Sequence, residues 1–71
     1  MTATEAKELA NETGKPWLLN PDWAGGAQPL EHYAQLRGTP SVRGLNASGF
    51  RLVLPDGMSE GDLLQRNQLL Q

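Results

Sequence analysis

Residues 16–26 read "PWLLNPDWAGG", and the reading of this run decides the fold. Two tryptophans, two leucines and two prolines share it, with neither helical spacing nor strict alternation. Pro16 biases Lys15 towards extended backbone, and Pro21 does the same to Asn20. Asn20-Pro21-Asp22 is a turn signal, and Gly25-Gly26 is a flexible pair. Taken so, residues 15–28 form an extended, Trp-bearing loop, and Trp17, Leu18, Leu19 and Trp23 need cover from elsewhere. One solution folds the loop back, so that Trp17 and Trp23 plug a small core of Leu30, Tyr33, Phe50 and Leu52. The other inserts the indoles into pockets on another protein. Trp and Tyr are enriched at interface hot spots, and a loop ordered by prolines loses little entropy on binding.

Upstream, residues 1–14 read as a helix. Thr2 and Glu5 have capping-box spacing, and Gly14 suits the position just past the end. Its inward stripe is Ala6, Leu9, Ala10 and Thr13. Only Leu9 is large, so the helix must dock on something or fray. Downstream, Pro29 fits the first position of a helix over residues 29–38 that Arg37 and Gly38 close. Leu30, Tyr33 and Ala34 make its apolar face, with Leu36 to one side. Within residues 41–54, "SVRGL" and "FRLVL" flank the turn formers "NASG", which makes a candidate β-hairpin. Phe50, Leu52 and Leu54 would share one face of its second strand, Arg51 and Val53 the other. Residues 59–70 read as a last helix, opened by Ser59 and Asp62. Leu63 and Leu70 share a face, whereas Leu64 and Leu69 point to opposite sides.

Composition narrows the classes. The chain has 71 residues, no cysteine, a formal charge of −2 and six scattered Lys and Arg. Disulfides and thiolate metal sites are excluded, and no basic cluster is present to displace counterions from nucleic acid. No apolar run approaches the roughly 20 residues of a membrane span, and no basic segment followed by an apolar one marks a signal peptide. The expected location is the cytoplasm or an assembled particle. Twelve leucines stand beside two valines and no isoleucine, which disfavours a large sheet.

Candidate chemistry is thin. His32 is the one histidine, with no partner placed for acid–base work; it reads as a surface residue. Asp56, Glu60 and Asp62 lack the spacing of a calcium loop and fit a turn before a helix start. Gly14-Lys15 lacks the remaining residues of a phosphate loop. Asn46-Ala47-Ser48 matches a glycosylation acceptor without an export signal.

The expected fold is therefore small α+β or irregular, one domain over residues 1–71. It has two or three short helices, extended segments broken by Pro and Gly, and little independent core. The expected function is non-enzymatic and cofactor-free: a structural or accessory protein docking on larger subunits of an assembly, as a minor virion or connector component does. Trp17, Leu18, Leu19, Trp23, Tyr33, Leu63 and Leu70 are the expected contact residues, with no nucleic-acid or membrane partner and self-association open. The alternative is a compact α+β inhibitor or adaptor that binds one protein through the Trp17/Trp23 loop.

Overall fold

In the computed structural model, which describes Met1–Gln71, the "WLL" run is the middle of a sheet. Strand β1 (Trp17–Leu19) pairs antiparallel with β2 (Ala27–Pro29) on one side and with β3 (Arg51–Val53) on the other. Residues 15–28 are thus two short strands and the turn between them. The run carries no alternation because both faces of β1 are covered, and a strand buried on two sides is apolar throughout.

Alternation along β1 and β3 divides the side chains between two layers. Leu18 lies opposite Leu52 and faces a cluster of buried leucines: Leu18, Leu30, Leu45, Leu63 and Leu69. Trp17, Leu19 and Val53 face the other way, onto Ala6 and Ala10 of helix α1 (Ala3–Thr13). The expected facing of Phe50, Leu52 and Leu54 against Val53 holds.

Helix α1 begins and ends as its sequence suggests. Thr2 Oγ1 accepts from the Glu5 amide, Glu5 Oε1 accepts from the Thr2 amide, and Gly14 takes a left-handed φ of 66°. The stripe is narrower than expected: Ala6 and Ala10 are buried, Leu9 half-buried and Thr13 exposed. Small residues let the helix sit close above the Trp17 indole. Further ties to the sheet come from Trp17 Nε1 donating to Thr13 Oγ1 (3.0 Å) and from Lys7 Nζ donating to the Leu54 carbonyl.

Trp23 reaches the leucine layer through the β1–β2 connection. The Trp23 amide bonds Asn20 O, the Gly26 amide bonds Trp23 O, and the Asn20 amide bonds Gly26 O. Asn20, itself buried, also accepts from the Asp22 amide at 3.0 Å, the local bond that suits Asn to turns. Two successive turns therefore curl the segment over the sheet face.

Helix α2 (Leu30–Arg37) follows β2 directly, with Pro29 as its N-cap rather than its first residue. Residues 41–54 hold no hairpin. Val42–Ala47 is helix α3, opened by Ser41 Oγ accepting from the Gly44 amide, and β3 pairs with β1 instead. The "NASG" turn formers close that helix. The Phe50 amide bonds Leu45 O and the Gly49 amide bonds Asn46 O, with Gly49 at φ 78°; this is the Schellman arrangement. Burial of Leu45 in the leucine layer holds the helix in place.

Helix α4 (Glu60–Gln65) is half the expected length. It too ends in a Schellman motif, with the Gln68 amide on Leu63 O, the Asn67 amide on Leu64 O, and Asn67 at φ 60°. Beyond it the chain extends, and Leu70 bridges to Ser41. This reversal buries Leu69 and turns Leu70 outwards at 51 % exposure.

The architecture is small α+β, with four helices and a three-stranded antiparallel sheet. The expectation of an irregular chain with little core does not hold. The Cα radius of gyration is 11.1 Å, and a compact chain of this length has about 11 Å. Leucines dispersed in sequence converge because glycine-bearing turns fold each short element back onto the same sheet.

Candidate functional site

The fold divides the expected contact residues between the two faces of the sheet: Trp23 and Tyr33 pack on the leucine layer that holds Leu18 and Leu63, and Trp17 and Leu19 lie on the other side. Trp17 and Leu19 lie against α1, while Leu18 and Leu63 are fully buried in the leucine layer. Leu70 is exposed on the C-terminal extension. The two indoles occupy opposite faces of the sheet, so they do not form one aromatic loop.

Trp23 joins Tyr33 and Phe50 in a half-buried triad. Ring centroids lie 4.7 Å apart for Trp23–Phe50, 5.6 Å for Tyr33–Phe50 and 6.2 Å for Trp23–Tyr33. Tilted and edge-on geometries at these distances are the favoured ones for aromatic pairs. Arg37 stands one helical turn from Tyr33, its guanidinium carbon 5.7 Å from the ring centroid, within cation–π range. Leu36, on the same helix, is 72 % exposed. His32, Tyr33, Leu36 and Arg37 consequently present one flank of α2 that is aromatic, apolar and cationic together. The sequence placed Phe50 only in a core and set Leu36 to one side of α2, with Arg37 only as a closing residue; the fold brings both beside the rings. Their signal was the i, i+3, i+4 spacing of Tyr33, Leu36 and Arg37.

The opposite flank of α2 borders a cleft of about 330 Å³. Pro16, Leu30 and Ala34 supply its apolar part, and Gln35, Thr39, Asn67 and Gln68 its polar wall. Lys15 and Glu31, also in the lining, form an ion pair at 3.0 Å. A second, more open depression contains Asn11, Asp56, Asp62 and Arg66. There Asn11 Oδ1 accepts from the Asp56 amide (2.7 Å), Lys7 pairs with Asp56 (3.1 Å), and Asp62 accepts from the Ser59 amide (2.8 Å).

No three His, Asp or Glu side chains converge as a metal-holding group. Two carboxyls depart from their ordinary pKa, and both are helix caps. The Thr2 amide, aided by the Thr2 hydroxyl, holds Glu5 below its ordinary 4.5. The Ser59 amide and hydroxyl hold Asp62 below 3.8. Each folded pKa is depressed, so each cap stabilises fully above the ordinary value and loses its contribution as pH falls through the lowered one. Between about pH 5 and about pH 3 the melting temperature of the wild type should therefore fall more than that of the Glu5→Gln, Asp62→Asn double variant. Parallel thermal melts would refute this link if both proteins lost stability equally.

No helix is long and apolar enough to cross a membrane. No protein-family model, curated protein or solved structure matches this chain.

Proposed function

We propose that this chain is a non-enzymatic protein-binding module that docks on a larger protein, as an accessory subunit or adaptor, through the Trp23–Tyr33–Phe50 flank of α2. The observation that carries this reading is the exposed Leu36 and the cation–π-placed Arg37 beside three half-buried rings. Trp, Tyr and Arg dominate interface hot spots, because they bury large area at modest entropic cost and still offer a polar end. Rings already locked against one another lose little further freedom when a partner covers them.

The closed two-sided core favours a compact body docking by one face, the adaptor or inhibitor form, over a chain draped across several subunits. Arg37 gives the partner surface its chemistry: apolar at the centre, with a carboxylate at the edge.

Leu36→Asp with Arg37→Glu tests the proposal without touching the core. Affinity capture with wild-type and double-variant baits, read by quantitative mass spectrometry, should give a protein retained by the first and depleted at least about tenfold by the second. Both baits should melt at the same temperature within a few degrees. Identical captured sets from both baits would refute the assignment of this face.

A further inference from the structure

Of the six basic side chains, both lysines are held in ion pairs, Lys7 with Asp56 and Lys15 with Glu31, and none of the four arginines forms one. Residues 32–55 carry three of those arginines, Arg37, Arg43 and Arg51, and no Asp or Glu; all eight acidic residues lie outside this stretch. We propose that the aromatic flank of α2 continues onto α3 and takes an acidic, leucine- or aromatic-bearing segment of a partner protein, with Arg37 and Arg43 binding its carboxylates. This inference rests on the docking reading above and gives the partner its charge.

Packing makes the surface continuous. Arg37, in the last turn of α2, lies over the Tyr33 ring, and Tyr33 meets Phe50 edge-on at 5.6 Å. The Phe50 amide in turn bonds Leu45 O of α3 at 2.9 Å. Val42, Tyr33 and Phe50 pack against the same leucine layer, so α2, the rings and α3 share one side of the sheet. Leu45 faces inwards and is buried, whereas Arg43 is exposed. Arg51 follows Phe50 in the chain but not onto this surface. It stands directly across from Leu19, whose side chain lies on the face that carries α1.

Arg43 is also placed against the preference of its own helix. It occupies the first turn of α3, where the dipole disfavours a cation, and that turn holds no acid to offset it. Nothing within the chain pairs with its charge. A residue that breaks a local rule without a compensating contact inside the fold points to a use outside it.

The occupant follows from complementarity. An arginine grips a carboxylate through its planar fork and can stay stacked on an aromatic ring while doing so, and Arg37 already lies over Tyr33. Leu36, 72 % exposed on the same helix, supplies the apolar contact. Asp22 adjoins Trp23 and pairs with no arginine, so the partner's acids belong towards α2 and α3 rather than at the Trp23 turn. Nucleic acid fits less well as the anion. Two arginines displace few counterions, the whole chain carries −2, and rings packed on one another leave no open platform for bases.

The test is an amide NMR titration of the full chain with N-acetyl-Glu-Leu-Glu-Leu-Glu amide. At about 10 mM peptide, which suits millimolar binding, shifts should centre on Tyr33–Gly38 and Val42–Leu45. The neutral peptide with Gln for Glu should bind about threefold more weakly or worse, and about 300 mM NaCl should remove most of that difference. Arg43→Glu should weaken the acidic peptide about fivefold or more. An acid suits the first turn of α3, so this variant stays folded. Arg51→Glu makes the same charge change on the other face of the sheet and should weaken binding by less than about twofold. Equal losses in the two variants, or equal binding of the acidic and neutral peptides, would overturn the acidic assignment and leave the docking face standing. Silence at these amides with both peptides would remove the docking face and this inference together. Stronger shifts there with a DNA duplex of about twelve base pairs would also refute it, because they would mark a nucleic-acid site.

Discussion

Leu18→Ala should cost about 2–5 kcal/mol, the range for removing a fully buried leucine where the surroundings cannot collapse. Leu18 is 0 % exposed, sits at the centre of the middle strand, and touches a layer contributed by helices before and after the sheet closes. The surrounding leucines come from three different helices and the chain beyond α4, each tied to the fold by its own backbone bonds, so the cavity has few ways to close. At about 0.05–0.15 kcal/mol per residue, a 71-residue chain holds roughly 4–11 kcal/mol in total. The substitution therefore removes a large share of the whole, and the variant should unfold at a much lower urea midpoint by circular dichroism. Leu36→Ala is the matched control. At 72 % exposure it should change stability by less than about 0.5 kcal/mol. Equal midpoints for the Leu18 variant and wild type would mean that the leucine layer is not what holds the sheet.

The second large effect is expected at Gly26. Gly25 and Gly26 have nearly the same backbone, φ 84° and 81°, but different surroundings. A Cβ at Gly25 meets nothing within 4 Å, whereas one at Gly26 would lie 2.7 Å from the Met1 nitrogen and 3.0 Å from its Cβ. Gly25→Ala should cost only the left-handed penalty of about 1–2 kcal/mol. Gly26→Ala adds a steric term, and about 2–4 kcal/mol is expected for the two together. The displaced residue directly precedes Thr2, which caps α1. Hydrogen exchange at the Glu5 and Ala6 amides should accelerate in the Gly26 variant and stay unchanged in the Gly25 variant. Equal losses in the two variants would show that contact with Met1 contributes nothing.

What the sequence revealed follows from how local each signal is. The capping box of α1 and its Gly14 terminator lie within one short stretch, and the facing of Phe50, Leu52, Val53 and Leu54 follows from alternation alone. Strand β1 was hidden for the opposite reason: Trp17–Leu19 is apolar on both faces because α1 covers one and the leucine layer the other. Helix α3 was hidden because Gly44, not Glu or Gln, stands three residues after Ser41, so no capping box marks its start, and the Gly49 that ends it suits a hairpin turn as well. Only the depth of the Leu45 site decides between them. At α4 the stop depends on Asn67 entering a conformation usually left to glycine, and that reversal exchanges the burial of Leu69 and Leu70. The site divides the same way. Trp23 and Tyr33 stand out by residue type, whereas Phe50 and Arg37 join them only once the sheet and the double turn are formed.

The placement of the indoles has an optical consequence. One chromophore reports on the α1 layer and the other on the leucine layer, with the central strand between them. Single-tryptophan versions, Trp17→Phe and Trp23→Phe, would each carry one reporter of a different half of the molecule. Emission from Trp17 would register a lifting of the N-terminal helix that leaves Trp23 dark to the event, and quenching of Trp23 would report contact at the aromatic face alone.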